Sequence, residues 1–259
     1  MLGGTAQARE IAQQLTLDVN VTMWYSLAGR TRQPRIEGIP QANIITGALG
    51  GVNGLARFLQ DQRVDALIDA THPFAQNISR NAVEAARRAS VPLARLERMS
   101  WPQQAKDTWH CVASTGAAIN FLLQTEPLLR YRNVLLTIGA GELPAWCAAL
   151  GANTNDETRK RPTVFARSIE APACTMPANF TGIRARGPFT LAAECALISE
   201  RRIDLIVSKL SGGTSSYNKV LAARQHGIPM LMITPPTLPA TLGFAAVDEM
   251  IRWVIDTRP

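Results

Sequence analysis

Apolar runs of strand length alternate with amphipathic stretches of helix length along the whole chain. The strand-length runs are residues 21–26, 44–46, 64–69, 91–96, 110–113, 134–138, 164–166, 203–208 and 228–233. The helix-length stretches include residues 6–15, 52–62, 75–89, 115–124, 190–201 and 217–226. Strands that alternate with helices are typical of right-handed βαβ units on parallel sheets. The pattern therefore predicts an α/β protein with mostly parallel sheets.

These elements are more than one compact sheet usually holds, so we expect two Rossmann-like, doubly wound lobes. The pattern is interrupted near residues 124–132, where Pro127 and its polar neighbours fall. We therefore predict one lobe over residues 1–127 and a second over residues 128–259. In open sheets of this kind ligands bind beyond the carboxyl ends of the strands, so binding residues are expected in the segments that follow strands.

Composition narrows the class of protein. Hydrophobic residues make up 46% and charged residues 18% of the 259, which suits a chain with a substantial core. No apolar run approaches the ~18 residues of a membrane span, and the first residues do not resemble a signal peptide. The four cysteines show neither C-x-x-C nor zinc-ligand spacing. We therefore expect a cytoplasmic protein with reduced, structural thiols, no membrane association and no metal.

The net charge of +7 comes almost entirely from arginine, because the chain contains only four lysines: Lys106, Lys160, Lys209 and Lys219. The planar guanidinium fork suits carboxylates and phosphates, so the bias favours anionic ligands. The arginines are scattered and do not form a basic run with interleaved aromatic residues. Nucleic-acid binding is therefore not expected.

A glycine-containing turn opens the chain. Gly3, Gly4 and Thr5 lie where a dinucleotide-binding fold places the turn that brings backbone N–H groups and a helix N-terminus to a pyrophosphate. Against the pattern G-x-G-x-x-G/A, Gly3 and Ala8 match and Thr5 replaces the second glycine. Alone the signal is weak, because Gly-Gly-Thr also occurs in ordinary turns.

The segment after the next predicted strand strengthens that interpretation. An NAD site carries an acidic residue there for the ribose 2′-hydroxyl. This chain offers hydroxyls and two arginines instead, which is chemistry for a 2′-phosphate; the segment comprises Ser26, Ala28, Gly29, Arg30, Thr31 and Arg32. We therefore expect NADPH in preference to NADH, the alternative being a solvated basic loop.

Only Met1 and Leu2 precede the turn, whereas a Rossmann turn follows a first strand. Either that strand is short or the natural start lies upstream. In the second case, a chain extended upstream by several apolar residues should melt at a higher temperature and bind NADPH more tightly.

Polar groups follow two further predicted strands. The run 64–69 ends in Asp69 and continues through Thr71 and His72 to Pro73 at a helix start. The run 203–208 is followed by Lys209 and by a loop of glycines and hydroxyls that leads into a helix. Such a loop makes a backbone cradle for an anion, although it can also be a plain helix N-cap.

A third candidate anion site is the Gly187-Pro188-Phe189 segment, which precedes a predicted helix and follows Arg184 and Arg186. An ordinary helix start explains this segment equally well.

Taken together, these segments resemble the precorrin-6A reductase family of cobalamin biosynthesis. The matching pieces run in family order over nearly the whole chain and are Leu2-Gly3-Gly4-Thr5, Ser26-Leu27-Ala28-Gly29-Arg30-Thr31, Asp69-Ala70-Thr71-His72-Pro73-Phe74-Ala75, Arg95-Leu96-Glu97-Arg98 with Trp101, Leu136-Thr137-Ile138-Gly139, Ala185-Arg186-Gly187-Pro188-Phe189 with Glu194, and Val207-Ser208-Lys209 with Ser211-Gly212-Gly213 and Tyr217. Leu210 departs from the family pattern, which has Asn there, and Ala140-Gly141 replaces a more polar pair.

The resemblance implies an NADPH-dependent oxidoreductase in which the first lobe holds the cofactor and a polycarboxylated tetrapyrrole lies in a cleft between the lobes. It also implies hydride transfer to a ring carbon, which reduces one double bond of the macrocycle. We expect a monomer or weak dimer. The predicted cofactor-binding residues are Gly3, Gly4, Thr5, Ser26, Ala28, Gly29, Arg30, Thr31, Arg32, Thr71, His72 and Pro73, and the predicted substrate-binding residues are Phe74, Arg186, Gly187, Lys209, Ser211, Gly212, Gly213, Ser216 and Tyr217.

His72 and Lys209 are the candidate catalytic residues. His72 can donate the proton that accompanies the hydride, or it can orient the reactants through a hydrogen bond, and the second role is the commoner one for such a histidine. A short-chain reductase is excluded because Tyr217 and Lys219 are two residues apart, not four. A non-catalytic, NADPH-sensing regulator remains the alternative.

Overall fold

The computed structural model describes residues 1–28, 38–124, 126, 130–151, 161–171, 174–214 and 216–257. Its strands are β1 Tyr25–Leu27, β2 Ile44–Thr46, β3 Leu67–Asp69, β4 Leu93–Leu96, β5 Trp109–Val112, β6 Asn133–Thr137, β7 Thr163–Ser168, β8 Phe180–Arg184, β9 Leu205–Lys209, β10 Met230–Ile233 and β11 Leu242–Phe244. Its α-helices are α1 Ala6–Leu15, α2 Gly51–Asp61, α3 Gln76–Ala89, α4 Thr115–Leu123, α5 Leu143–Leu150, α6 Leu191–Glu200, α7 Asn218–His226 and α8 Val247–Asp256. Short 3₁₀ turns cover Gln41–Asn43 and Ala140–Glu142.

The chain forms two compact units. The first comprises Met1–Met99 together with Pro236–Pro259, and the second comprises Ser100–Pro235. Every described strand pairing is parallel, in both units. The predicted α/β fold with mostly parallel sheets is thus confirmed.

The sheet of the first unit is joined in its middle by a single residue. β1 pairs with β2, and β4 lies between β3 and β11. Leu2 forms a parallel bridge to Ser26 on one side and to Asp69 on the other. The spatial order is therefore β2, β1, Leu2, β3, β4 and β11, so the first strand is present but very short.

Helices cover both faces of this sheet. Ile68 belongs to the cluster that contains Ile11 of α1 and Met250 of α8. Its neighbour Leu67 belongs to the other cluster, with Leu59 of α2 and alanines of α3. Adjacent residues in a strand point to opposite faces, so the two clusters are the two sides of one sheet. Full burial of an aliphatic side chain such as Leu59 stabilises the fold by about 1.5–3 kcal/mol.

The second unit is built on one six-stranded sheet. Its order is β5, β10, β9, β6, β7 and β8. Leu135, Ile206 and Met232 of its central strands pack in one cluster with Val220 of α7 and Ile198 of α6. β6, β9 and β10 were predicted from apolar runs alone because strands that are buried on both faces consist almost entirely of apolar residues.

The division of the chain differs from the predicted boundary between residues 127 and 128. β5 pairs with β10, with Trp109 opposite Met230, so the segment from residue 100 onward belongs to the second unit. The last 24 residues return to the first unit, where β11 pairs with β4 and Met250 is fully buried. The boundaries of the two units are therefore set by pairing between strands that are distant in sequence, and not by the break in the strand–helix pattern near residues 124–132.

Four elements were not predicted: the edge strands β8 and β11 and the helices α5 and α8. Both edge strands carry exposed residues and glycine, so neither forms a continuous apolar run. Five predicted strands are shorter than expected, since runs 21–26, 64–69, 91–96, 203–208 and 228–233 yield β1, β3, β4, β9 and β10.

Candidate active site

Thr5 links the glycine turn to the segment that follows β3. It is the N-cap of α1, where its hydroxyl oxygen accepts a 3.0 Å hydrogen bond from the Ala8 N–H. The same hydroxyl donates to the Ala70 carbonyl at 3.0 Å. Gly3 N–H donates to the Ser26 carbonyl at 2.9 Å. The structure thus brings together three of the predicted cofactor-binding segments at the carboxyl ends of their strands.

Both glycines of the turn are required by its geometry. A Cβ atom on Gly3 would lie 2.3 Å from Cζ of Tyr25. Gly4 has a φ of +110°, which side-chain-bearing residues rarely adopt, and its N–H donates to the Tyr25 hydroxyl at 3.3 Å. Burial raises the pKa of Tyr25, so its phenol stays protonated. Tyr25 was not predicted as a site residue, because only the fold brings it against the turn.

Asp69 anchors the rim of this sheet. Its carboxylate is 1% exposed and accepts the Thr71 hydroxyl at 2.7 Å and the Arg95 Nε–H at 3.0 Å. The Thr71 hydroxyl lies 3.2 Å from that of Ser79 in α3. Because Thr71 donates to Asp69, it accepts from Ser79. Thr71, a predicted cofactor residue, is therefore held in one orientation.

His72 and Phe74 form a tight turn before α3. The His72 Nδ1 accepts the Phe74 N–H at 3.3 Å, and the His72 carbonyl accepts the Ala75 N–H at 2.7 Å. The two rings lie 5.7 Å apart at 44°. His72 is exposed, while Pro73 and Phe74 are half-buried. An Nδ1 that accepts a hydrogen bond leaves the proton of a neutral imidazole on Nε2.

Ser26 lies in β1, and the exposed Ala28 follows that strand's last residue. The remaining residues of the predicted 2′-phosphate segment, Gly29, Arg30, Thr31 and Arg32, lie outside the described residues.

In the second unit, Lys209 ends β9 and forms an ion pair with Glu142. Glu142 lies in the 3₁₀ turn after β6 and also accepts the hydroxyl of Thr115. The predicted catalytic lysine is thus paired with a carboxylate that was not predicted as a site residue.

The loop after Lys209 is held by Trp101. Ser211 is buried, and Gly212 and Gly213 have φ values of +65° and +75°. The Trp101 indole N–H donates to the Gly213 carbonyl at 2.7 Å, and the Tyr217 ring lies 6.0 Å from the indole. The positive φ values explain the two glycines.

The loop is connected to the Gly187-Pro188-Phe189 segment, whose Gly-Pro bond is cis. The Asn218 side chain donates to the Phe189 carbonyl at 2.8 Å. Arg186 and Gly187 are exposed, and Ser216 is half-buried. Lys209 ends β9, and the other predicted substrate-binding residues of the second unit lie in these two connected segments. Phe74 belongs to the first unit.

Arg167 and Glu194 form a buried pair beside this segment. Two hydrogen bonds of 2.9 Å join the guanidinium to the carboxylate, and the Arg167 Cζ lies 4.0 Å from the Phe189 ring centroid. The two side chains are 8% and 2% exposed. This bidentate pair fixes the position of Phe189. Arg167 follows the predicted run 164–166 by one residue and was not predicted as a site residue.

Lys219 is the most unusual group of the second unit. It is 6% exposed, its Nζ donates to the Thr137 hydroxyl at 3.2 Å, and it lies 5.5 Å from the Trp101 ring centroid. Burial, aided by the charge of Arg167 and opposed by Glu194, lowers its pKa to about 7. Its place in the first turn of a helix after a glycine loop is the only sequence signal for it.

Over the described residues, no group of three or more histidine, cysteine, aspartate or glutamate side chains is arranged to hold a metal ion. Within the same residues, no helix has the length and apolarity needed to cross a membrane.

Comparison with known proteins assigns the family. Residues 1–255 match the family described as precorrin-6x reductase CbiJ/CobK. A precorrin-6A reductase of Rhodococcus erythropolis is 41% identical over 255 residues, covering 98% of this chain and 96% of the relative. A cobalt-precorrin-6A reductase of Salmonella typhimurium is 28% identical over 259 residues, covering 97% of this chain and 90% of the relative.

A solved structure of CobK precorrin-6A reductase has a TM-score of 0.83 and 32% identity, covering 99% of this chain and 95% of that one. The chain belongs to the precorrin-6x reductase family CbiJ/CobK.

Proposed function

We propose that the protein is an NADPH-dependent oxidoreductase that reduces one carbon–carbon double bond of the precorrin-6A macrocycle in cobalamin biosynthesis. Family membership and relatives named precorrin-6A reductase support the substrate. The observation that carries the proposal is the hydrogen bond from the Thr5 hydroxyl to the Ala70 carbonyl, which joins the glycine turn to the Thr71-His72 segment.

Strand order supports a dinucleotide in the first unit. If Leu2 is counted as the first strand, the order along the sheet is third, second, first, fourth, fifth and sixth. That is the order of the dinucleotide-binding fold, whose pyrophosphate lies on the turn after the first strand. The turn here contains Gly3 and Gly4 and leads into α1.

The groups of this turn fit a pyrophosphate. Gly3 and Gly4 place no side chain over the backbone, and α1 begins directly after Thr5, so the positive end of the helix lies at the turn. NADPH, when bound, supplies a hydride. Arg30 and Arg32 provide cationic partners for its 2′-phosphate, and Ser26, Ala28, Gly29 and Thr31 complete that segment.

The second unit supplies groups for a polycarboxylated macrocycle. Lys209 and Arg186 provide positive charge, and the backbone of Ser211, Gly212 and Gly213 provides N–H donors. Ser216 and Tyr217 add hydroxyls where the loop enters α7. Carboxylates accept charge-assisted hydrogen bonds from such groups, so we assign the acetate and propionate arms to this unit.

Reduction of a double bond adds a hydride to one carbon and a proton to the other. We propose that Thr71, Pro73 and Phe74 position the reactants, since Asp69 fixes Thr71 and the turn fixes Phe74. His72 uses Nδ1 inside the turn, which favours a positioning role over proton donation. Lys209 binds the substrate as a cation, and its ion pair with Glu142 sets its orientation.

The test is NADPH oxidation by the purified protein, measured with and without precorrin-6A. The proposal predicts oxidation only when the precorrin is present, with NADH a much poorer donor. A non-catalytic, NADPH-sensing regulator would bind NADPH and show no such oxidation.

A further inference from the structure

Two cysteine thiols of the second unit lie next to each other. Cys147 is in α5, and Cys174 lies between β7 and β8. Their Sγ atoms are 3.8 Å apart. A disulfide bond is about 2.05 Å long, so the sulfur atoms need to approach by only about 1.8 Å. Small side-chain rotations at the two residues can supply a shift of that size.

Contacts that do not involve sulfur hold the Cys174 segment against α5. The Asn179 side chain donates a 2.9 Å hydrogen bond to the carbonyl of Leu150, which is the last residue of α5. It also donates to the Pro162 carbonyl at 2.9 Å. A Cβ on Gly151 would lie 2.9 Å from Cγ of Pro177, so the proline packs directly on the end of the helix. The two thiols are therefore neighbours because of the fold.

We propose that Cys147 and Cys174 form an oxidisable dithiol site that reacts with hydrogen peroxide to give an intramolecular disulfide. In the first step the Cys174 sulfur attacks one peroxide oxygen, the O–O bond breaks, and a sulfenic acid and water form. In the second step the Cys147 sulfur attacks the Cys174 sulfur, the S–O bond breaks and a second water leaves. Two thiols are oxidised and one peroxide is reduced to two waters.

The surroundings of the two thiols set the order of these steps. Cys174 is half-buried and reachable from solvent, whereas Cys147 is buried in α5. Burial raises the pKa of Cys147 to about 11, so this thiol is a poor nucleophile toward a free oxidant. Because its sulfur lies 3.8 Å from that of Cys174, Cys147 is placed to attack a sulfenic acid formed there, which is the role of a resolving thiol.

The disulfide would tie α5 to the segment that enters β8. β8 ends at Arg184, two residues before Arg186 of the predicted substrate site. The cross-link closes the chain between residues 147 and 174, and it does not depend on the proposed reductase activity.

The test treats the full-length protein with hydrogen peroxide and measures its intact mass, its free thiols and its linked peptides. We expect the mass to fall by two hydrogens, two of the four thiols to disappear, and a dithiothreitol-reversible Cys147–Cys174 peptide to appear. C195S should behave like the wild type, since Cys195 is half-buried elsewhere in the unit. The mass of C174S should not fall by two hydrogens, because Cys147 then has no partner thiol for a disulfide.

In C147S the proposal predicts a sulfenic acid at Cys174 that a dimedone reagent traps. If the wild type keeps four free thiols after peroxide treatment, the proposal is wrong. A link that involves the exposed Cys111 in place of Cys174, or a Cys147 that stays free while Cys174 becomes a sulfinic acid, would overturn it equally.

Discussion

The Thr5 hydroxyl and the Ala70 carbonyl, 65 residues apart in the sequence, are joined by a hydrogen bond of 3.0 Å. Thr5 also caps α1. One side chain therefore sets both the start of the helix and its distance from the segment that carries Thr71 and His72. This connection joins two of the predicted cofactor-binding segments.

Replacing Thr5 with valine removes both hydrogen bonds and keeps the shape. We expect T5V to lower the free energy of unfolding by about 1–2 kcal/mol and to weaken NADPH binding. T5S keeps the hydroxyl and should retain both properties. Denaturant unfolding and NADPH titration measure the two effects. Equal behaviour of T5V and T5S would show that the hydroxyl is not the cause.

Replacing Gly3 with alanine places a methyl group against the Tyr25 ring, 2.3 Å from Cζ. Since Tyr25 is fully buried, the ring cannot move aside cheaply. We expect G3A to lose about 1–3 kcal/mol of stability and most NADPH affinity.

Gly116 of α4 provides the matched control for that change. A Cβ there meets nothing closer than 3.8 Å, so G116A should lose no stability. Thermal unfolding compares the two variants. A G3A protein as stable as G116A would contradict the close packing of Gly3 on Tyr25.

Replacing His72 with alanine removes the Nδ1 acceptor of the Phe74 N–H. If His72 is a positioning residue, H72A should lower turnover by about tenfold and leave the pH dependence of turnover unchanged. The measurement is the pH profile of precorrin-dependent NADPH oxidation for both proteins. Loss of one limb of the profile in H72A would instead identify His72 as the proton donor.

Lys219 should make the stability of the protein depend on pH. Its pKa is about 7 in the fold and about 10.5 in the unfolded chain, so between these values the unfolded state binds more protons. Stability contributed by this site therefore rises with pH across that window, by up to about 1.4 kcal/mol per pH unit. K219M removes this contribution, and its advantage over the wild type in unfolding free energy should shrink from pH 7 to pH 10.

Thr137, Trp101, Arg167 and Glu194 stay in place in that comparison, so the difference between the two proteins isolates Lys219. A difference that does not change with pH would show that Lys219 keeps its ordinary pKa in the fold.

Local pattern predicted the buried parts of this fold and the segments at their ends. Apolar runs identified β6, β9 and β10, because these central strands are buried on both faces. The glycines of the two loops were identified as parts of candidate anion-binding turns, and Gly4 and Gly213 have positive φ values that favour glycine. Features that depend on only a few neighbouring residues, such as a buried strand or a glycine turn, can therefore be predicted from the sequence.

Long-range pairing was beyond the local pattern. Tyr25, Arg167 and Lys219 matter because of partners brought by other elements, and none of these partners is near in sequence. The boundary of the units was missed for the same reason, since β5 and β11 are assigned by the strands they pair with. Edge strands give weak signals because solvent replaces half of their apolar contacts.

The proposed function requires that hydride passes from NADPH to a carbon of precorrin-6A on this protein. The most direct measurement uses NADPH that carries deuterium at the transferable position of the nicotinamide, followed by mass spectrometry of the tetrapyrrole product. We expect a product heavier than precorrin-6A by one deuterium and one hydrogen, and K209M should form it more slowly because its KM for the precorrin is raised. A product without deuterium, or an unchanged precorrin beside oxidised cofactor, would show that this hydride transfer does not occur.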